Sequence, residues 1–136
     1  MKIIVGVDGS DTAAAAARHA AELAARLDAE LHLVTVLKKS TTTVVRGGGE
    51  SWQVSSLDRA ESLLASTKGT LGDCRVVANV LDGDPAKALV TEAERIGADM
   101  IVVGNKRTQG AKRVLGAVAI DVVHHAPCGV LICKTT

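Results

Sequence analysis

The chain has 136 residues, enough for one domain with a real core. Its 16 Lys and Arg stand against 15 Asp and Glu, which argues against a general nucleic-acid or membrane-surface protein. With no Phe, no Tyr and one Trp, the core has to be aliphatic, and a base-stacking nucleic-acid surface is disfavoured.

"KIIVGVD" (2–8) is a short β-branched run, the signature of a buried strand. Residues 11–27 are Ala-rich, with Arg18, Glu22 and Arg26 four apart on one polar face, which predicts an amphipathic helix. "ELHLVTVL" (30–37) is a second strand. The segment 38–53, "KKSTTTVVRGGGESWQ", is irregular and expected to be mobile around its three consecutive glycines. Val54, Leu57, Ala60 and Leu64 fall at helical spacing over 54–66. "CRVVANVL" (74–81) is a third strand. The next helix has Asp84 as N-cap, Pro85 at its first position and Gly97 as its stop. "DMIVVG" (99–104) is a fourth strand. Over 114–125, Leu115, Val118, Ala119, Val122 and Val123 share one helical face. Pro127 ends that helix, and "GVLIC" (129–133) is the last strand.

Strand and helix alternate throughout, so the expected fold is a single α/β domain over 1–136, with a five-stranded parallel sheet and four helices. No run reaches membrane-spanning length, and "MKIIVGVDGS" lacks the features of a secretory leader. Cys74, Cys128 and Cys133, an odd set outside any metal-ligand spacing, read as buried or half-buried thiols in a reducing cytoplasm.

Doubly wound sheets collect ligands at the carboxyl ends of their strands, where the winding reverses. If the first strand is central, that point lies between the first and fourth strands. Val7, Asp8, Gly9 and Ser10 then face Gly104, Asn105 and Lys106. The stretch "GNKRTQGAKRVLGAVA" (104–119) leaves the fourth strand with three glycines and four basic residues and leads into a helix, as phosphate-binding loops do.

"IIVGVDGS", "GDPAKALVTEAERIGADMIVVGNK" and "VLGAVAIDVVHHAPCGVLI", in that order, resemble the universal stress protein family over nearly the whole chain. The resemblance implies a doubly wound sheet with the first strand central, in the order 3-2-1-4-5. It also implies a cytoplasmic stress-response protein, commonly a homodimer, from a family with nucleotide-binding and non-binding branches. The binding branch carries glycine, two residues, glycine, nine residues, glycine, then Ser or Thr. Here those positions are Gly104, Arg107, Gly116 and Ala117, with eight residues between Arg107 and Gly116. Two glycines remain, one is replaced, the hydroxyl is missing and the loop is short.

The backbone N–H groups of Ala117 and Val118 remain available to a phosphate whatever their side chains. The missing hydroxyl removes a donor worth on the order of 1 kcal/mol. Arg107 is obstructive if its position needs a positive φ, and useful if its guanidinium meets a phosphate. Lys106, Lys112 and Arg113 add positive charge, and Gly110 flexibility. The expected ligand is an adenine nucleotide, ATP or AMP, with Mg2+ if ATP. Its expected contacts are Val7, Asp8, Gly9, Ser10, Val103, Gly104, Lys106, Arg107, Gly116, Ala117 and Val118. The family resemblance adds Val36, whose backbone would meet the adenine. The alternative is a dimeric interaction protein that has lost the nucleotide and acts through its surfaces. A slow ATPase using Asp8 and a metal ion ranks third, because no catalytic set stands out.

Asp8 could equally be a turn residue closing onto Ser10. His124 and His125 suit the negative end of a helix, while His19 and His32 read as surface or packing residues, and no metal site is expected. The apolar last strand would lie at a sheet edge, so a homodimer is expected through Val130–Cys133.

Overall fold

The computed structural model describes residues 1–37, 49–107 and 113–135, with backbone alone at 49–55, 106–107 and 113–114. β1 (Lys2–Gly6), α1 (Asp11–Leu27) and β2 (Glu30–Leu37) come first in the chain. α2 (Gly49–Lys68), β3 (Arg75–Asp82) and α3 (Pro85–Ile96) follow, then β4 (Met100–Arg107), a two-residue β5 (Arg113–Val114), α4 (Ala117–His125) and β6 (Gly129–Lys134). The parallel strands run β3-β2-β1-β4-β6, which is the expected order 3-2-1-4-5 counted along the parallel set.

β1 is apolar on both faces because it is covered on both. Ile3 and Val5 pack with Leu31, Leu33 and Val102 beneath α1. Ile4 packs with Val34, Ile101 and Val103 beneath α3 and α4. α1 makes close contact with the sheet through methyl groups, with Ala16, Ala17, Ala20, Ala21 and Ala24 all buried. Ser10 caps this helix, its Oγ accepting from the Ala13 N–H at 3.1 Å. α3 carries the expected punctuation. Asp84 accepts from the Lys87 N–H at 3.1 Å, Pro85 opens the helix, and Gly97 closes it at φ 68°.

Four expectations change. β1, expected over 2–8, ends at Gly6, because the chain beyond Val7 turns away at Gly9 into α1. α2 begins at Gly49, so 49–53 are helical rather than irregular; the expected mobility of the rest of that segment lies outside the described residues. β4 runs past Gly104 to Arg107, because Lys106 and Arg107 pair antiparallel with Val114 and Arg113. That hairpin uses up residues 113–114, so α4 starts only at Ala117. Its buried side is then Ala119 and Val122, while Val118 and Val123 are 44% and 45% exposed. The three cysteines are free: Cys133 is buried, and Cys74 and Cys128 half-buried. Burial raises all three thiol pKa values.

His32 is a packing residue. Buried on the α3 side of the sheet, it meets Glu30 through Nε2 at 2.7 Å. Glu92, buried on α3, accepts from Arg95 Nε at 2.8 Å and Nη2 at 2.6 Å. Those bonds hold the Glu92 carboxyl below its ordinary range, against a smaller opposing effect of desolvation. A depressed carboxyl pKa stabilises the fold above the unfolded value, and the gain is lost as pH falls through the folded value. The stability gap between wild type and Arg95→Ala in urea unfolding should therefore be widest near neutrality and close in acid. A gap independent of pH contradicts the pairing. Ile101, fully buried at the junction of β1, β4 and β6, should cost about 2–5 kcal/mol when cut to Ala in the same assay.

Candidate functional site

The central strand is also a short one. β1 stops at Gly6, opposite Val34, while β2 pairs with β3 as far as Leu37 and β4 continues to Arg107. The neighbours of β1 thus stand above it as two walls of a notch. After Gly6 the chain makes one further sheet bond, from the Val7 N–H to the Val34 carbonyl at 2.8 Å. It then turns at Gly9, whose φ of 90° suits glycine. Asp8 Oδ1 accepts from the Ser10 N–H at 2.9 Å, and Ser10 starts α1. The turn reading of Asp8 is realised, and its carboxylate still borders the notch.

The notch opens into a cleft of about 900 Å³. Val7, Asp8 and Ser10 line it from the end of β1, and Val36 from β2. Val103 and Gly104 contribute from β4, and Gly116, Ala117 and Val118 from the start of α4. Nine of the twelve residues expected from sequence therefore converge on one cavity. Gly9 does not border it; it lines a separate recess of about 70 Å³ with Leu63 and Thr67. Lys106 and Arg107 lie on the β4 extension, where only their backbone is described. Arg107 sits in an extended ladder opposite Arg113, so that position does not demand the backbone of a glycine.

Sequence reading missed the α3 wall, formed by Pro85 and Leu89, as well as Thr12, Thr35 and Leu37. One signal was present. A glycine inside a β-branched strand marks close approach. A Cβ on Gly6 would lie 2.9 Å from Leu89 Cδ1, so the missing side chain is what lets α3 down onto β1.

Two features give the cleft binding chemistry. Along β2, alternate residues direct their backbone groups to the same side. The Leu37 carbonyl turns to β3, accepting from the Gly83 N–H at 3.0 Å, whereas the Val34 carbonyl turns to β1. Val36 has the parity of Val34 but lies beyond the end of β1. Its N–H and C=O therefore open into the cleft as an adjacent donor and acceptor.

The second feature is the first turn of α4. Gly116 is its N-cap and supplies no side-chain bond. The first helical bond runs from the Ile120 N–H to the Gly116 carbonyl at 3.0 Å, leaving the N–H groups of Ala117, Val118 and Ala119 outside the helix ladder. A Cβ on Gly116 would meet nothing within 4 Å. This turn offers backbone donors, a positive helix end and room to approach them. Asp8 is the charged side chain among the described lining residues. Among the described residues no group of three His, Cys, Asp or Glu could hold a metal ion.

The two cleft glycines should respond differently to a methyl group. At Gly104 a Cβ would lie 2.8 Å from Thr12 Cγ2 and 3.1 Å from the Thr12 carbonyl oxygen. Gly104→Ala should cost about 1–3 kcal/mol in urea unfolding, because backbone has to move. Gly116→Ala, entering open space at φ −67°, should cost less than about 1 kcal/mol. Equal costs at the two positions contradict this geometry.

Comparison with known proteins agrees with the fold. The model of the universal stress protein family matches residues 1–134. A universal stress protein of Methanocaldococcus jannaschii is 33% identical over 139 residues, covering 98% of this chain and 81% of that one. The solved universal stress protein of Archaeoglobus fulgidus is 28% identical, with a TM-score of 0.76 and 97% of each chain covered. A structure of the universal stress protein from Archaeoglobus fulgidus in complex with dAMP is 25% identical, with a TM-score of 0.71 over 97% of this chain and 96% of that one. With its strand order, its helices and nearly its full length matched, the chain belongs to the universal stress protein family.

Proposed function

We propose that this protein binds an adenine nucleotide, AMP or ATP, in the cleft between the carboxyl ends of β1 and β4. The observation that carries the reading is the pairing of two complementary features across one cavity. Val36 offers an N–H beside a C=O on one wall, and the first turn of α4 offers uncommitted N–H groups on the other. Adenine presents an acceptor, N1, beside a donor, the 6-amino group, and matches the Val36 edge. Guanine reverses both, leaving the backbone groups of Val36 unpaired at a cost of about 1–3 kcal/mol each. The ribose then lies over the end of β1 near Asp8, and the phosphates reach Gly116, Ala117 and Val118. A triphosphate would bring Mg2+, with the Asp8 carboxylate as the described acidic group nearby. The dAMP complex of the Archaeoglobus fulgidus relative supports this ligand class.

The same reading places the protein in the cytoplasm, which suits three free thiols, and in the response to stress that gives the family its name. No described helix is long and apolar enough to cross a membrane. It also makes the protein a homodimer through β6. This strand pairs with β4, and its other edge meets no strand among the described residues. Leu131 and Ile132 on it are 37% and 41% exposed, and Ile120 and Val123 on α4 are exposed as well. Apolar edge strands of this kind are normally covered.

Isothermal titration with ATP, AMP, adenosine and GTP tests the ligand. Adenine nucleotides should bind and GTP should not. Absence of binding by every adenine compound at millimolar concentration overturns the proposal in favour of a dimer that acts through its surfaces. Arg107→Gly should weaken ATP on the order of tenfold while leaving adenosine unchanged, if the guanidinium has taken over as a phosphate ligand. Equal ATP affinities in the two proteins remove that role. Light scattering at micromolar concentration should give a dimer mass for wild type and a monomer for Ile132→Lys. A monodisperse wild-type monomer rules out the edge pairing.

A further inference from the structure

Residues from three separate segments meet at Gly104. Thr12, in the first turn of α1, and Thr135, just beyond β6, each bring a γ-methyl group against it. A Cβ on Gly104 would lie 2.8 Å from Thr12 Cγ2 and 3.1 Å from Thr135 Cγ2. Thr135 also bonds to β4 twice at a single atom. Its N–H donates to the Asn105 carbonyl at 3.0 Å, and its Oγ1–H donates to the same oxygen at 3.2 Å.

This contact sits where β4 changes partners. Up to Asn105, β4 pairs parallel with β6, the last register pair being Asn105 with Lys134. From Lys106 onward it pairs antiparallel with β5, two residues before the Gly116 cap of α4. The two-residue ladder is too short to hold its own orientation. Its bearing on the sheet is set by the bonds that tie β4 down at its departure, and Thr135 supplies two of them.

We propose that Thr135 is a positioning residue for the phosphate end of the cleft. It fixes the point at which β4 leaves the sheet, and through the hairpin it fixes where the first turn of α4 stands relative to Val36. Thr135 is not a lining residue of the cleft and touches no ligand in this scheme. It works through Gly104 and Asn105, with Thr12 bracing the other side. The inference rests on the nucleotide reading above and deepens it, because it predicts which part of the ligand senses Thr135. The base meets Val36 on β2, which the change does not touch. The phosphates meet α4, which it does.

The experiment compares Thr135→Ala, which loses both methyl and hydroxyl, with Thr135→Ser, which keeps the hydroxyl, in titrations with ATP and with adenosine. Thr135→Ala should weaken ATP about three- to tenfold, the worth of one bond, while adenosine stays within about twofold. Thr135→Ser should recover most of the ATP affinity. In hydrogen exchange without ligand, the amides of Lys106 and Val114 should exchange faster in Thr135→Ala than in wild type, with core strands unchanged. Unchanged ATP affinity in Thr135→Ala overturns the role, as does a parallel loss of ATP and adenosine accompanied by a lowered melting temperature, which would mark a merely structural residue. A wild type that binds neither ATP nor adenosine overturns the nucleotide reading and this role with it. A wild type that binds, beside an Ala variant that binds equally well, overturns this role alone.

Discussion

The early end of β1 is the constraint on which the site depends. A central strand in a parallel sheet is paired on both sides, and here it carries Ile3, Ile4 and Val5 at zero exposure. Its two flanking crossovers leave in opposite directions, because each obeys the same handedness. Helices therefore cannot cover the top of β1, and stopping the strand at Gly6 turns that uncovered point into a notch. Had β1 run two residues further, it would have occupied the backbone groups of Val36. The open backbone edge of β2 exists because its neighbour ends first.

A core with no Phe, Tyr or Trp among the described side chains shapes the walls. Without rings to fill space, the layers come together through small residues: alanines on α1, Ala86 and Ala93 on α3, Ala119 on α4. Each methyl contributes little by itself, and among the described residues eight of the nine largest fully buried side chains lie on the sheet strands. Val, Leu and Ile bring roughly 1.5–3 kcal/mol each when fully covered. The glycines follow from the same economy of volume. Gly6 admits Leu89, and Gly104 admits Thr12 and Thr135.

Much of this was legible in the sequence, and the exceptions share a cause. Alternating strands and helices, the Ala-rich helix over 11–27 and the Asp84–Pro85–Gly97 punctuation are local signals, and each appears as read. So did most of the cleft, because the carboxyl ends of β1 and β4 are fixed by topology. What escaped was non-local. Leu89 and Pro85 reach the cavity only because α3 descends on Gly6, and Thr135 matters only because β6 lies beside β4. The hairpin also escaped, since "RV" at 113–114 carries no periodicity of its own and helical spacing from Leu115 onward pulls the expected boundary back. The apolar face assigned to α4 was too broad for the same reason: a nine-residue helix over a sheet margin buries Ala119 and Val122 and leaves Val118 and Val123 outside.

The alanine face of α1 has one more implication. Beyond Thr12, α1 lines the cleft with Ala13 and Ala16, and alanine has no side-chain rotamers, so this part of the wall cannot reshape itself by turning a χ angle. It can only move as a rigid body, and the methyl groups of Ala16, Ala17 and Ala20 leave no slack for that. A change in the shape of the cleft falls more easily to the α4 side, where Val118 stands half exposed on the first turn of a short helix. The cavity thus has a fixed jaw and an adjustable one. Changes in ligand preference during evolution should then accumulate on the α4 side, while α1 drifts only on its outward, charged surface.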